Sequence, residues 1–289
     1  MRVHEALHWA FSFLRERQLE EPVAEMLLRH YLQMDRARFL ASFHEELDGE
    51  LFQRLEEDLV AHASGVPVQH LIGVESFYGR QFQVDRHVLI PRPETEELVL
   101  AVLKEIRRQF KKEEEITILD IGTGSGAIAV TLALEEERTN VTAVDISRDA
   151  LQVAADNARR LGANVQLIHG DLGEPFLKTG ERFDVIVSNP PYIPTVEKET
   201  LAVHVRDHEP ALALFGGVDG LDVYRRLMSQ LPSLTKEEKG MVALEIGTGQ
   251  GMDVKKLMQT AYPKAVVDVL YDLNGKDRIV LAYWNETSY

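Results

Sequence analysis

Cysteine is absent from the 289 residues, which excludes disulfides, cysteine-ligated zinc, iron–sulfur clusters and a thiol nucleophile. Positive charge is scarce: 32 Lys and Arg face 47 Asp and Glu, a formal net charge of −15. A non-specific nucleic-acid binder needs clustered cations to neutralise phosphates. The basic clusters here are short, Arg107, Arg108, Lys111 and Lys112, then Arg225 and Arg226, so no direct nucleic-acid contact is expected. Long apolar runs are also missing, since none approaches the roughly 18 residues that a spanning helix requires. The apolar stretch near the start carries Glu5 and two histidines, and Leu7, Phe11 and Leu14 recur at three- and four-residue steps. That is the pattern of an amphipathic helix rather than a signal peptide. A cytoplasmic protein without membrane contact is the expectation.

What is present suffices for ordinary folded domains, with 45% hydrophobic residues. From Val3 to about His62 the sequence is helical in every window, with breaks near Glu21-Pro22, Met34-Asp35 and Asp48-Gly49, so several short helices should pack together. Residues 1–75 are read as this helical domain. Between Ser64 and Pro93, the residues Phe77, Tyr78, Phe82, Val84, Val88 and Ile90 with Gly73 and Gly79 suggest short strands or a hairpin, and 76–93 form a linker. Residues 94–289 form the second domain. There, helices expected at Glu96–Phe110, Ala127–Glu135, Ala150–Leu161 and Leu221–Leu231 alternate with strands at Ile116–Ile121, Val141–Asp145, Val165–Ile168, Phe183–Ser188 and Met241–Ile246. Continuous apolar strands alternating with helices mean an α/β fold, a mostly parallel sheet covered on both faces. Val266–Tyr271 and Ile279–Trp284, joined by a turn containing Asn274-Gly275, predict a terminal antiparallel hairpin.

The strand Ile118-Leu119-Asp120-Ile121 runs into Gly122-Thr123-Gly124-Ser125-Gly126-Ala127 and then a helix. Glycines allow positive φ and let a ligand approach the backbone at a helix N-terminus. No Lys-Ser/Thr follows, so this is not a P-loop, and Thr123 stands where a nucleophile elbow has its first glycine. The string fits G-x-G-x-x-A, and Asp145 ends the next strand where a ribose-binding acid belongs. Both a dinucleotide and the nucleoside of S-adenosylmethionine satisfy that arrangement. A second copy, Leu244-Glu245-Ile246-Gly247-Thr248-Gly249-Gln250-Gly251, is read as a strand-end turn, because no clean strand ending in an acid and opening a further helix follows and the chain enters the terminal hairpin.

A further strand ends in Asn189-Pro190-Pro191-Tyr192. Two prolines fix the backbone at the strand's C-terminal edge, where open α/β sheets bind ligands. A planar amide or exocyclic amine has its lone pair delocalised and is a poor nucleophile. Acceptors must hold its N–H groups, here the Asn189 carboxamide oxygen and the Pro190 carbonyl, while Tyr192 stacks on the planar group. His4 with His8, and His204 with His208, stand four apart but lack the His-Glu-x-x-His pattern, and no metal is expected. Arg92 and Glu94 read as charges that fix a loop.

Together these residues resemble the class I S-adenosylmethionine-dependent methyltransferases, and within them the HemK/PrmC family of peptide chain release factor glutamine methyltransferases. The resemblance runs in order through Val68-Gln69-His70-Leu71-Ile72-Gly73, Phe77-Tyr78-Gly79, Leu89-Ile90-Pro91-Arg92-Pro93-Glu94-Thr95-Glu96, the glycine loop, the Asn-Pro-Pro-Tyr tetrapeptide and Glu209-Pro210-Ala211-Leu212-Ala213-Leu214. It implies a Rossmann-like sheet, an N-terminal domain that helps to recognise the substrate, and methylation of the glutamine amide in the Gly-Gly-Gln loop of bacterial release factors. By resemblance Gly122, Thr123, Gly124, Ser125 and Gly126 hold the methionine portion of S-adenosylmethionine, Asp145 its ribose, and Asp171 with Leu172 its adenine, Leu172 standing where the family often has an aromatic residue. Asn189, Pro190, Pro191 and Tyr192 grip the glutamine, and Asn189 also adjoins the cofactor. The tetrapeptide alone is shared with adenine-N6 and cytosine-N4 nucleic-acid methyltransferases, and the glycine loop with Asp145 also admits an NAD-dependent oxidoreductase.

Overall fold

The computed structural model describes residues 1–285. Contacts divide the chain into two units, one of Met1–Val74 with Ala202–His208, the other of Glu75–Leu201 with Glu209 onward. The first unit is helical: α1 (Val3–Glu16), α2 (Pro22–Tyr31), α3 (Arg36–Ala41), α4 (Gly49–Ala63) and a short α5 (Val68–Ile72) that the sequence reading did not anticipate. Each break has a local cause. Pro22 opens α2, where its missing N–H costs nothing. Asp35 and Asp48 cap α3 and α4 by accepting from the amides of Arg38 and Glu50. Leu7, Leu14, Leu27, Leu28, Phe39, Leu55 and Leu59 fill the core that the apolar stripes share.

In the second unit β1 (Val74–Phe77, whose first residue groups with the helical unit) and β2 (Arg80–Gln83) make a hairpin. Val88 and Ile90, expected in strands, instead lie in the non-repetitive run before α6 (Pro93–Gln109). The chain then follows β3 (Ile116–Ile121), α7 (Ala127–Glu135), β4 (Thr139–Asp145), α8 (Arg148–Leu161), β5 (Val165–His169), α9 (Glu174–Thr179), β6 (Val185–Ser188), α10 (Val203–Arg206), α11 (Ala211–Leu214), α12 (Asp222–Leu234), β7 (Lys239–Glu245), α13 (Gly251–Ala261), β8 (Val266–Tyr271) and β9 (Asp277–Asn285). One seven-stranded sheet results, in the order β5-β4-β3-β6-β7-β9-β8, with β9 antiparallel to both of its neighbours. The terminal hairpin is therefore present. The sequence reading had no element between the second glycine turn and the hairpin, where α13 lies, its Val254 and Met258, four residues apart, both fully buried. Among the described residues no helix is long and apolar enough to cross a membrane.

Strand alternation decides which face each residue packs on. Ile116, Ile118, Val185, Val187, Met241 and Ala243 join the core beneath α6 and α7, whereas Leu119, Ile121, Ile186, Val242 and Leu244 join the core with α12 and α13. Burial on both faces explains why these strands read as unbroken apolar runs.

One buried polar side chain ties this frame to the glycine loop. Asn157 on α8 accepts from Gln83 N (2.7 Å) and donates to Gln83 O (3.0 Å) and Ser125 O (2.9 Å). Asn157→Ala leaves these backbone groups without partners, and we expect a loss of about 1–3 kcal/mol in unfolding free energy. Urea denaturation measures it, and an unchanged midpoint would contradict this role.

Candidate active site

Register brings the site together before any side chain is considered. Ile121 pairs with Val144 on one side and Ser188 on the other, and Ser188 pairs with Leu244. The next residue along each strand is Asp145, Gly122, Asn189 and Glu245, one row across four parallel strands at their C-terminal edge. A cavity of about 290 Å³ opens there, near the lower end of the roughly 300–1,000 Å³ of small-molecule sites. Of the residues singled out from the sequence, Gly122, Thr123, Gly124, Ser125, Asp145, Asp171, Leu172, Asn189 and Pro191 line it. Gly126, Pro190 and Tyr192 do not.

The glycines divide by task. Gly122 and Gly124 have φ of 75° and 55°, and a Cβ on either would meet only open space, so backbone conformation and access for a ligand explain them. Gly126 (φ 80°) caps α7, where a Cβ would come 3.1 Å from the Cβ of Ala154. Its task is the approach of α7 to α8. Asp145 is prearranged: Oδ2 accepts from Gly124 N at 2.9 Å and Oδ1 from Ser147 N at 2.8 Å. A carboxylate has about four acceptor positions, so two bonds leave capacity for ligand hydroxyls.

Asn189 stands at the cavity wall and donates from Nδ2 to Thr95 Oγ1 at 3.2 Å. The segment beyond it is anchored where Ile193 N donates to Leu214 O and Gly216 N to Ile193 O. Pro190 is buried. The Tyr192 ring packs beside the second glycine turn, with Cδ2 3.0 Å from where a Cβ on Gly247 would lie. Burial pushes its hydroxyl up to about 12, so Tyr192 stays neutral near neutral pH.

That second turn resembles the first in sequence, and in both the amides are engaged within the chain: in the first, Gly122 N and Thr123 N donate to Val144 O and Gly124 N to Asp145. Asp277 accepts from Gly249 N and Gly251 N at 2.7 Å each, and the Gln250 side chain accepts from Gly247 N while donating to Tyr192 O. A carboxylate of the chain itself caps α13. The reading as a strand-end turn fits the lining of the cavity, to which residues 247–251 do not contribute.

Sequence reasoning missed several wall residues. Arg92, expected to fix a loop, donates to the buried Glu209 at 2.6 Å. This bond joins the Pro-Arg-Pro segment to Glu209-Pro210, and Pro91, Arg92, Pro210 and Leu212 all line the cavity. Arg226 reaches Asp171 at 2.7 Å, a pairing between distant segments that no local pattern signals. Asp120, on β3 two residues before Gly122, is fully buried and receives the Thr123 hydroxyl at 2.6 Å. Burial pushes its carboxyl up to about 7 against that bond and one from Ala129 N. Glu245 is likewise pushed up to about 7 by burial, against the opposing influence of Thr95, Arg278 and Asn189 beside it. Among the described residues no cluster of histidine and carboxylate could hold a metal ion, and His4 is engaged by Phe43 O at 2.7 Å.

Comparison with known proteins agrees with this layout. Residues 5–73 match the family model of the PrmC N-terminal domain, and residues 101–207 that of the methyltransferase small domain. The chain is 51% identical over 282 residues to the release factor glutamine methyltransferase of Bacillus cereus, covering 98% of this chain and 99% of that protein. It is 50% identical over 280 residues to the protein of the same name from Bacillus subtilis, covering 97% of each. Among solved structures, a methyltransferase from Pyrococcus furiosus aligns with a TM-score of 0.51 at 18% identity, over 73% of this chain and 91% of that one, a likeness of fold.

The raised carboxyls make stability depend on pH. A carboxyl whose folded value lies above its unfolded value, about 4, destabilises the fold progressively as pH rises toward the folded value, here about 7. Asp120→Asn keeps an acceptor for Thr123 and removes the ionisation. Its stability should therefore fall less than that of the parent chain between about pH 4 and pH 7. Urea midpoints across that range test this, and parallel profiles would contradict it.

Proposed function

The chain belongs to the release factor glutamine methyltransferase family, and from that premise we propose that it methylates the side-chain nitrogen of the glutamine in the Gly-Gly-Gln loop of bacterial peptide chain release factors, using S-adenosylmethionine. The observation that carries this reading is the single row of Asp145, the glycine turn and Asn189 along one sheet edge, opening on one cavity. On this reading the helical unit recognises the release factor, residues 76–93 link it to the methyltransferase domain, and the site of action is the cytoplasm. A nucleic-acid substrate for the same tetrapeptide is disfavoured by 47 acidic against 32 basic residues.

The residues present fit the cofactor. The backbone at Gly122 and Gly124 is open to a ligand, Thr123 and Ser125 complete that wall, and Asp145 is held ready to accept from two ribose hydroxyls. Asp171 and Leu172 stand at the adenine end, with Asp171 shared by Arg226. When bound, S-adenosylmethionine supplies a methyl group on a positively charged sulfur. Asn189, through its carboxamide oxygen, and Pro190, through its carbonyl, accept the N–H bonds of the glutamine amide and aim its nitrogen into the cavity. Pro191 forms part of the wall beside it, while the Tyr192 ring packs against the second glycine turn. Such orientation is worth up to about 7–11 kcal/mol in well-aligned systems. The nitrogen loses one proton, but only after it has gained positive charge, so no strong base is required. Tyr192, neutral near neutral pH, is not one.

Incubation with labelled S-adenosylmethionine and a release factor, beside a copy whose loop glutamine is replaced, tests the substrate. Label should enter only the intact factor, and equal labelling of both would overturn the reading. Asn189→Ala should lower kcat by roughly a hundredfold or more with cofactor affinity largely kept, because its bonds act at the reacting nitrogen. Asp145→Ala should instead raise the cofactor Kd by roughly ten- to a hundredfold, the loss of a charged hydrogen-bonded contact. An effect of Asp145→Ala confined to kcat would exclude the ribose assignment.

A further inference from the structure

S-adenosylmethionine ends in an amino acid, and the α-carboxylate of that tail is an anion that gives up water on entering a cavity. A charged donor must take the water's place. Among the described residues three basic side chains line the cavity, His87, Arg92 and Arg226. Arg226 is paired with Asp171 at 2.7 Å, at the end read as the adenine site. His87 Nδ1 lies 3.2 Å from Asp85, and the neighbouring Val88 packs on Ala150 of α8, the helix that follows Asp145. Arg92 is placed differently.

Strand order sets the two ends of the site. Asp171 follows β5 and Asn189 follows β6, with β4 and β3 between them, a separation of three strand spacings or about 14 Å. Arg92 belongs to the Asn189 end. Its carbonyl accepts from Thr95 N at 3.1 Å, and Thr95 Oγ1 in turn accepts from Asn189 Nδ2 at 3.2 Å. The methyl group and the amino-acid tail of the cofactor share one sulfur, so a methyl group presented to Asn189 brings the tail to this same end.

The guanidinium is held in advance. Pro93 restricts the residue before it to extended backbone, and Arg92 has ψ of 148°. Glu209 Oε1 takes one N–H, from Nη2 at 2.6 Å, and the rest of the five-donor fork has no hydrogen-bond partner among the described residues. The Glu209 side chain is 0% exposed and that of Arg92 34%, and of the two only Arg92 lines the cavity. A ligand there meets the donor while the counter-charge lies behind it. At the adenine end, by contrast, Asp171 lines the wall together with Arg226 and repels an anion. Resting on the cofactor reading above, we infer that Arg92, held by Glu209, binds the α-carboxylate of the cofactor's methionine tail.

Calorimetry with S-adenosylhomocysteine and with its decarboxylated analogue, which keeps adenosine, sulfur and amine, separates this role from a structural one and needs no release factor. Arg92→Met should raise the Kd of S-adenosylhomocysteine by roughly ten- to a hundredfold, the loss of a charge-assisted pair, and that of the analogue by no more than about threefold. Arg92→Lys, which keeps the charge without the planar fork, should fall between the parent chain and Arg92→Met. Because Arg92→Met strands the buried Glu209, the double variant Arg92→Met with Glu209→Gln, which leaves no charge unpaired, is measured beside it and should show the same selective loss. Equal weakening of both ligands would mark Arg92 as structural and overturn the inference. So would an unchanged Kd for S-adenosylhomocysteine joined to a raised KM for the release factor, which would assign Arg92 to the substrate. A parent chain that binds neither ligand would refute the cofactor reading itself, and the inference with it.

Discussion

Parallel pairing in fixed register is the constraint on which the site depends. β4, β3, β6 and β7 are hydrogen-bonded neighbours, and the residues that follow their last paired positions are Asp145, Gly122, Asn189 and Glu245. Side chains alternate along a strand, so a slip of one residue in any of these pairs would exchange every inward and outward residue beyond it. The two cores prevent such a slip. Val185 and Val187 pack on one face while Ile186 packs on the other, each fully buried. Core packing and site geometry are thus one requirement, met by the same strands.

Burial of carboxyls behind this edge is its energetic counterpart. Asp120, Glu209 and Glu245 are withdrawn from water, and each retains one oxygen without a partner among the described residues. Desolvation disfavours their charged forms, whereas hydrogen bonds and nearby cations favour them. The balance differs with the partner: Glu209 faces Arg92 directly, Asp120 has the Thr123 hydroxyl, and Glu245 lies beside Thr95, Arg278 and Asn189. Polar groups held in a dry setting orient one another more strongly than they would in water. A fold selected for stability alone gains little from them, and their concentration beside the cavity marks where the chain gives up stability for orientation.

Much of this was legible in sequence, for identifiable reasons. The strand–glycine–helix junction at Ile121–Ala127 is read correctly because positive φ restricts residue choice locally. β3, α7 and β8 fall where periodicity puts them. α13 was not anticipated, although Val254, Met258 and Ala261 carry helical spacing, because the hairpin signal that follows drew the reading forward. Gly126 looks like a ligand contact in a linear motif, but its neighbour is Ala154, on a helix that begins more than twenty residues later. Tyr192 likewise belongs to a linear tetrapeptide, and its place beside Gly247 depends on the pairing of β6 with β7. The grouping of Ala202–His208 with the helical unit has no compositional mark at all.

By itself the sequence determined whatever depends on local backbone rules and on residue chemistry: the α/β alternation, the helical N-terminal region, the glycine turn, the fixed backbone of Asn189-Pro190-Pro191-Tyr192, and the motifs that identify the family. Tertiary structure alone decided which of two similar glycine turns lines the cavity: Gly122 to Ser125 do, whereas the second turn is packed against Tyr192 and held by Asp277 and Gln250. It also decided that Arg226 meets Asp171 and that Thr95 meets Asn189. The physical reason is the same in each case. Conformational preference is written residue by residue, whereas the partner of a buried polar group is chosen by strand order and register, which only the folded sheet supplies.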